Sequence, residues 1–381
     1  MLRKGNAREN ILMIAALSDG QIKKRICEDI CATPRYTRKI MEKMNNDENV
    51  ETVFGTNPRV LRIKPNGIKL VEDQIPWLKQ RVQEKKMNAK KDRAQRQADV
   101  SQTMYNMQLA DIEYYPLAKV KLEELNKHDI EAPGVYYAPV EMKANMYDEE
   151  DEKSKESGRS SRICGMYYTN NQACALYNLN GRNLKYYRKT EMRFLGEYFL
   201  KYQRKEKQAI KKVFFGEGYE GLKQIIENTK VESKRYNKKT GVEYSYVTIE
   251  NDSYYVPNGP EGAKYLRMID KPEVTKRIKT ILSNSMKKEV IVLLPISLPA
   301  IKVIMETKQQ ETIVCLPEQE AIYKAMFGNK VEVLKIEEDK ALSMFGINLN
   351  NEKEPCKGNP KKKNKETDVE PEIQTVNSGG C

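Results

Sequence analysis

Apolar residues recur at spacings of three and four through the first fifty residues, then switch to short alternating runs. Ile11, Leu12, Ile14, Ala15 and Leu17 form one stripe over Arg8 to Leu17, which Ser18-Asp19-Gly20 breaks. Ile22, Ile26, Cys27 and Ile30 form a second, over Ile22 to Cys31. Thr33-Pro34 then supplies a cap and a first helical proline, and Ile40, Met41 and Met44 form the apolar side of a third helix over Arg35 to Met44. Val50 to Phe54 and Val60 to Ile63 read as strands joined by the turn Gly55-Thr56-Asn57-Pro58, and a further helix begins near Ile68.

Three helices followed by a hairpin is the order of a winged helix-turn-helix, here over residues 8–72. Its third helix sets Arg35, Tyr36, Thr37, Arg38, Lys39 and Lys43 on the side away from its apolar stripe. A helix of that width enters a major groove, where arginine bonds a guanine edge with two donors. Asn57 and Arg59 at the hairpin tip and Arg62 on its second strand are placed to meet phosphates. The competing reading is a winged helix used for protein contacts, with a merely solvated charged face.

Residues 74–112 read as a long basic connector helix with sparse apolar positions (Leu78, Val82, Met87, Ala94, Ala98): a solvated charged helix, one lying near DNA, or a loose dimer arm. Residues 113–158 read as an irregular linker, rich in tyrosine, proline and glycine and ending in the acidic run from Asp148 to Glu152. From 159 to 345 the pattern is that of a mixed α/β domain. Ile163 to Tyr168 and Ala173 to Asn178 form a hairpin, expected at one sheet edge. Thr190 to Arg204 is a helix with Met192, Leu195, Tyr198, Phe199 and Tyr202 on its apolar side. Val213 to Phe215 is a short strand, Leu222 to Asn228 a helix, and Tyr244 to Ile249 pairs with Ser253 to Val256. Two helices follow, Glu261 to Met268 and Glu273 to Leu282. Strands at Val290 to Leu294, Thr312 to Leu316 and Val331 to Ile336 alternate with helices at Leu298 to Glu306 and Glu318 to Phe327, which implies right-handed crossovers and a partly parallel sheet. Residues 346–381 are polar and read as a disordered tail. The fold class is therefore α+β, mixed: a winged helix-turn-helix, a connector helix, a mixed α/β domain and a tail.

Charge sharpens this picture. Sixty-seven Lys and Arg against 54 Asp and Glu leave a formal charge of +13 over 381 residues, a surplus that attracts polyanions. Ile11 to Leu17 is too short for a secretory core, and no run approaches the length that spans a bilayer. The seven cysteines are odd in number and scattered, which argues against a secreted disulfide framework and for the cytoplasm. Cys27 and Cys31 share a helix face but lack two further zinc ligands, since His128 is the sole histidine. They read as buried thiols.

No complete catalytic set emerges. One histidine removes histidine-metal relaxase and tyrosine-recombinase chemistry, and no nucleophile elbow accompanies it. Gly216-Glu217-Gly218-Tyr219-Glu220-Gly221 matches G-x-G-x-x-G, but Glu217 and Glu220 would oppose a pyrophosphate, so a tight turn explains it better. A magnesium nuclease would draw on Glu191, Glu250, Asp252 and Glu332 with Lys335, yet none forms the acid-x-lysine pair, and Glu332 and Lys335 fall on opposite strand faces. No cofactor and no metal are expected.

The order of parts resembles the replication-relaxation proteins of bacterial plasmids and conjugative elements. The likeness rests on the module Arg8 to Val71, on Ser161 to Tyr168 with Ala175 to Asn178, and on Tyr254-Tyr255-Val256-Pro257 followed by Glu261-Gly262. It implies an N-terminal winged helix, a degraded nuclease-like α/β domain, and work in replication, copy control or transfer. It carries no catalytic residue over. The expected function is non-catalytic duplex DNA binding, with a homodimer or a replication or relaxase protein as further partners and no membrane. The alternatives are a metal-dependent nuclease of restriction-endonuclease-like fold and a protein-interaction adaptor.

Overall fold

The computed structural model describes residues 6–72, 91–114, 135–139, 142, 161–168, 173–179, 185–186, 188–201, 210–231, 235–238, 241 and 243–343. His128, the acidic run, the first half of the expected connector helix and the tail lie outside the described residues. Twelve helices and four open sheets, with parallel and antiparallel pairs, make a mixed α+β protein over the described residues.

The chain begins with α1 (Ala7–Leu17), β1 (Gln21–Lys23), α2 (Lys24–Cys31), α3 (Pro34–Asn46), β2 (Val50–Val53), β3 (Val60–Ile63) and α4 (Pro65–Glu72). The helix expected from Ile22 instead opens with a strand: Ile22 pairs with Leu61, and β1 joins an antiparallel sheet of order β1-β3-β2. A three-residue strand carries too short a pattern to betray itself in sequence. In α3 the sequence signals act as expected. The Thr33 side chain accepts the Tyr36 N–H at 3.3 Å and Pro34 occupies the first turn. α1 is buried on every side from Asn10 to Leu17, because α2, α4 and α5 (Lys91–Leu109) surround it.

α5 corrects the expectation of a solvated connector or dimer arm. Ala94 and Ala98 are fully buried, and so are Ser101, Thr103, Met104 and Asn106. It lies between the N-terminal sheet and a seven-stranded sheet. Small residues allow close approach, and several of the polar ones are buried with hydrogen bonds made: Gln102 Nε2 donates to Asn106 Oδ1 at 3.2 Å, and Thr103 Oγ1 to the Asp99 carbonyl at 3.1 Å. Lys23 of β1, 1 % exposed, reaches Asp99 of α5 at 3.2 Å and ties the two parts together.

The large sheet runs β14-β12-β9-β7-β6-β5-β4. Its members are β4 (Glu113–Tyr114), β5 (Val135–Tyr137), β6 (Gly165–Tyr168), β7 (Ala173–Asn178), β9 (Ile210–Gly216), β12 (Ser253–Pro257) and β14 (Ile296–Ser297). β6 and β7 pair antiparallel as expected, while β7, β9 and β12 are mutually parallel. Three further expectations change. The stretch read as an irregular linker contributes β4 and β5, with Tyr136 and Tyr137 fully buried and the Tyr136 hydroxyl donating to the Cys164 carbonyl at 2.7 Å. These strands put the β6–β7 hairpin inside the sheet rather than at its edge. Finally, β9 is seven residues long and central.

The strand pair expected around Asn251-Asp252 does not form. β11 (Glu243–Tyr246) pairs with β10 (Arg235–Tyr236) and β8 (Lys185–Tyr186), while β12 pairs with β9 and β14. Helices α6 (Arg188–Lys201), α7 (Glu220–Val231), α8 (Pro260–Asp270) and α9 (Pro272–Met286) follow the expected order. Met192, expected on the apolar side of α6, is exposed, and Phe194 is buried instead. The last part is a separate parallel sheet of β13 (Val290–Val292), β15 (Glu311–Cys315) and β16 (Val331–Lys335), with crossovers α10 (Leu298–Glu306) and α11 (Glu320–Phe327). α12 (Glu338–Ser343) ends the described chain. No described helix is long and apolar enough to cross a membrane.

Candidate nucleic-acid interface

α2 and α3 are linked through Ala32, whose left-handed backbone (φ 61°) turns the chain sharply. α3 then buries Thr37, Ile40 and Met44, at spacings of three and four, against the N-terminal core. That inner side decides what faces out. Arg35, Tyr36, Arg38, Lys39 and Lys43 are all exposed. None of the four cations makes an ion pair among the described residues, although Glu42 sits on the same helix. The positive end of the helix dipole lies at the same end as Arg35 and Tyr36 and adds to the field there.

Thr37 does not belong to this face. It is buried, and its hydroxyl donates back to the Thr33 carbonyl at 2.9 Å. A threonine among charged residues reads as outward, but the stripe through Ile40 and Met44 includes position 37, three residues before Ile40.

The hairpin places Asn57 and Arg59 in solvent at its tip. Arg62 differs: it lies opposite Glu51 on the neighbouring strand and pairs with it at 2.8 Å, so its charge is already met. Hydrophobic patterning assigned Phe54 to the strand, yet the strand ends at Val53 and the Phe54 ring is 89 % exposed. One signal was available in sequence. Phe54 directly precedes the turn Gly55-Thr56-Asn57-Pro58, and Arg59, the first residue after that turn, offers no apolar partner.

The glycine run occupies the position a dinucleotide fingerprint requires, after β9 and before α7. Its space is taken by the protein itself. A Cβ at Gly216 would lie 2.2 Å from the Tyr255 hydroxyl, and one at Gly221 would lie 2.7 Å from it; that hydroxyl donates to the Gly218 carbonyl at 2.7 Å. These two glycines therefore answer the close approach of a tyrosine ring, while Gly218 alone needs a left-handed backbone (φ 48°). The neighbouring carboxyl ends of β7 and β12 are likewise filled. Asn106 of α5 donates to Asn258 Oδ1 at 2.8 Å and accepts from the Gly259 N–H at 3.0 Å; Asn258 in turn donates to Glu217 at 3.3 Å. Glu217 also pairs with Arg25 of α2.

The carboxylates considered for a nuclease are dispersed among separate partners. Glu191 is fully buried, accepting from Ser161 Oγ at 2.7 Å and from the Tyr177 hydroxyl at 3.3 Å. Glu250 forms a largely buried pair with Lys212. Asp252 is exposed in a turn, with φ 53°. Glu332 meets Lys288 and Thr312, and Lys335 meets Glu320 at 3.0 Å. Among the described residues no three His, Cys, Asp or Glu side chains gather as they would to hold a metal ion. Cys27 and Cys31 are buried and free; burial pushes both thiols up, and in Cys27 the neighbouring Cys31 adds to the effect.

No protein-family model, no curated protein and no solved structure matches this chain.

Proposed function

We propose that residues 6–72 are a winged helix that binds duplex DNA, with α3 lying in the major groove and the β2–β3 hairpin against the adjoining backbone. The observation that carries this is the outward row of Arg35, Arg38, Lys39 and Lys43, exposed and without ion pairs among the described residues, on a helix whose opposite side is locked into the core. Leaving four cations unpaired on one short helix is electrostatically unfavourable in the free protein. A polyanion removes that cost and releases its own counterions. Arg35 and Arg38 suit guanine edges, Tyr36 and the lysines suit phosphate and sugar, and Arg59 with Asn57 extends the phosphate track.

Binding occurs without strand cleavage and without a cofactor. The α/β part provides a second contact, to a partner protein, to another copy of the chain or to the DNA itself. The setting we propose is cytoplasmic replication, copy control or transfer of a plasmid or mobile element, which rests on the order of parts alone. A gel shift with the R35E/R38E/K39E variant tests the proposal. The native chain retards duplexes at low salt and the variant does not. Full retention of affinity by the variant would remove α3 from the interface, and shortening of the DNA in magnesium or manganese would replace a binder by a nuclease.

A further inference from the structure

We propose that Phe54 is an apolar wedge that enters a DNA base step from the minor groove when the hairpin docks; this rests on duplex binding by residues 6–72. A phenylalanine side chain left 89 % exposed gains nothing for the fold. The hairpin nevertheless orders the backbone that carries it. Val53, the residue before it, is paired with Val60, and the turn behind it is pinned by Thr56, whose hydroxyl donates to the Val53 carbonyl at 2.9 Å and accepts from the Val60 N–H at 3.0 Å. Gly55 takes the left-handed backbone (φ 72°) that turns the chain immediately after the ring. A ring carried on an ordered backbone gives up only its own side-chain rotamers on insertion, whereas one on a loose loop would give up backbone freedom as well.

Its surroundings select the occupant. Phe54 and Arg59 are the residues that follow Val53 and precede Val60, the last pair of the hairpin, so both stand at its tip, where both are exposed together with Asn57 of the turn between them. An aromatic ring flanked by a guanidinium and a carboxamide suits a narrow, negatively charged groove with hydrogen-bond acceptors on its floor. Apolar residues that enter such a groove unstack one step and kink the duplex by about 20–90°. An apolar protein surface would leave Arg59 desolvated and unmatched, so the charge at the tip favours nucleic acid.

The test uses the full chain and mixed-sequence 30-mer duplexes rich in TA and CA steps, which unstack most easily. In one set 2-aminopurine replaces an adenine at these steps; in another the ends carry a fluorophore pair that reports bending by energy transfer. The native protein raises 2-aminopurine fluorescence and shortens the end-to-end distance. F54A abolishes both signals and weakens binding about tenfold, and F54L, which keeps an apolar wedge, retains both. Thermal melting of F54A matches that of the native chain, because the ring supports no packing. If F54A bends and unstacks the duplex like the native chain, or if the native chain binds without either signal, the wedge is overturned while duplex binding stands. If the native chain binds no duplex at low salt, duplex binding itself falls and the wedge with it.

Discussion

Replacing Arg38 and Lys39 together by alanine should flatten the salt dependence of DNA binding by a calculable amount. Five exposed cations on the proposed interface, Arg35, Arg38, Lys39, Lys43 and Arg59, make no ion pair among the described residues. If each neutralises one phosphate, the logarithm of the binding constant falls against the logarithm of salt with a slope of about −4.5, at roughly −0.9 per phosphate. Affinity then drops about 500-fold between 50 and 200 mM salt. The double variant retains three such contacts, so its slope is about −2.7 and its loss over the same range only about 40-fold. Fluorescence anisotropy of a labelled duplex, titrated at five salt concentrations, measures both slopes. Arg62 supplies the internal control. Its charge is matched by Glu51 at 2.8 Å, so R62A should move the slope by less than about 0.5. A native slope in the R38A/K39A variant, or flattening by R62A as strong as that by the double variant, would refute the assignment of the interface to α3.

Three other outcomes follow from the geometry. T37V should bind DNA within about twofold of the native chain and cost the fold only about 1 kcal/mol, because the Thr37 hydroxyl bonds the Thr33 carbonyl rather than solvent; anisotropy and denaturant melts measure the two effects. K23A should lower stability by up to about 3 kcal/mol, since it removes a buried charge partner from Asp99 of α5, whereas K23M/D99L, which removes both charges, should lose much less; equilibrium unfolding in urea separates the two. In a C356S/C381S background the five remaining thiols should resist a disulfide reagent at pH 8 in the native state and react fully once unfolded. Burial holds the Cys164 and Cys315 pKa values up to about 12, so little thiolate exists at pH 8; any native-state reaction should grow as pH rises toward that value, not as it falls.

How much of this was legible beforehand depended on how local the cause was. Thr33-Pro34 announces the start of α3 because capping involves neighbours in sequence, and the three-and-four spacing of Ile40 and Met44 places the cations of α3 outward by helix geometry alone. The alternation of strands and helices from Val290 to Lys335, with its parallel pairing, follows from the same local periodicity and the handedness of crossovers. The composition likewise contains the charge surplus, whatever the fold.

Other features have no local cause. A helix as polar as α5 reads as solvated until two sheets are known to close on it: Ser101 and Thr103 bond carbonyls of their own helix and can be buried, but the amide of buried Asn106 donates to Asn258, far along the chain. Tyr136 and Tyr137, bounded by proline and glycine, read as linker until β6 offers them hydrogen bonds. The cation of Arg62 is matched only because register sets Glu51 across from it, and Gly216 requires its missing side chain only because Tyr255 arrives from a strand nearly forty residues away. Periodicity is a property of a segment and survives outside the fold; burial of polar groups, strand partners and charge pairing belong to contacts between distant segments, which exist only once the chain has closed on itself.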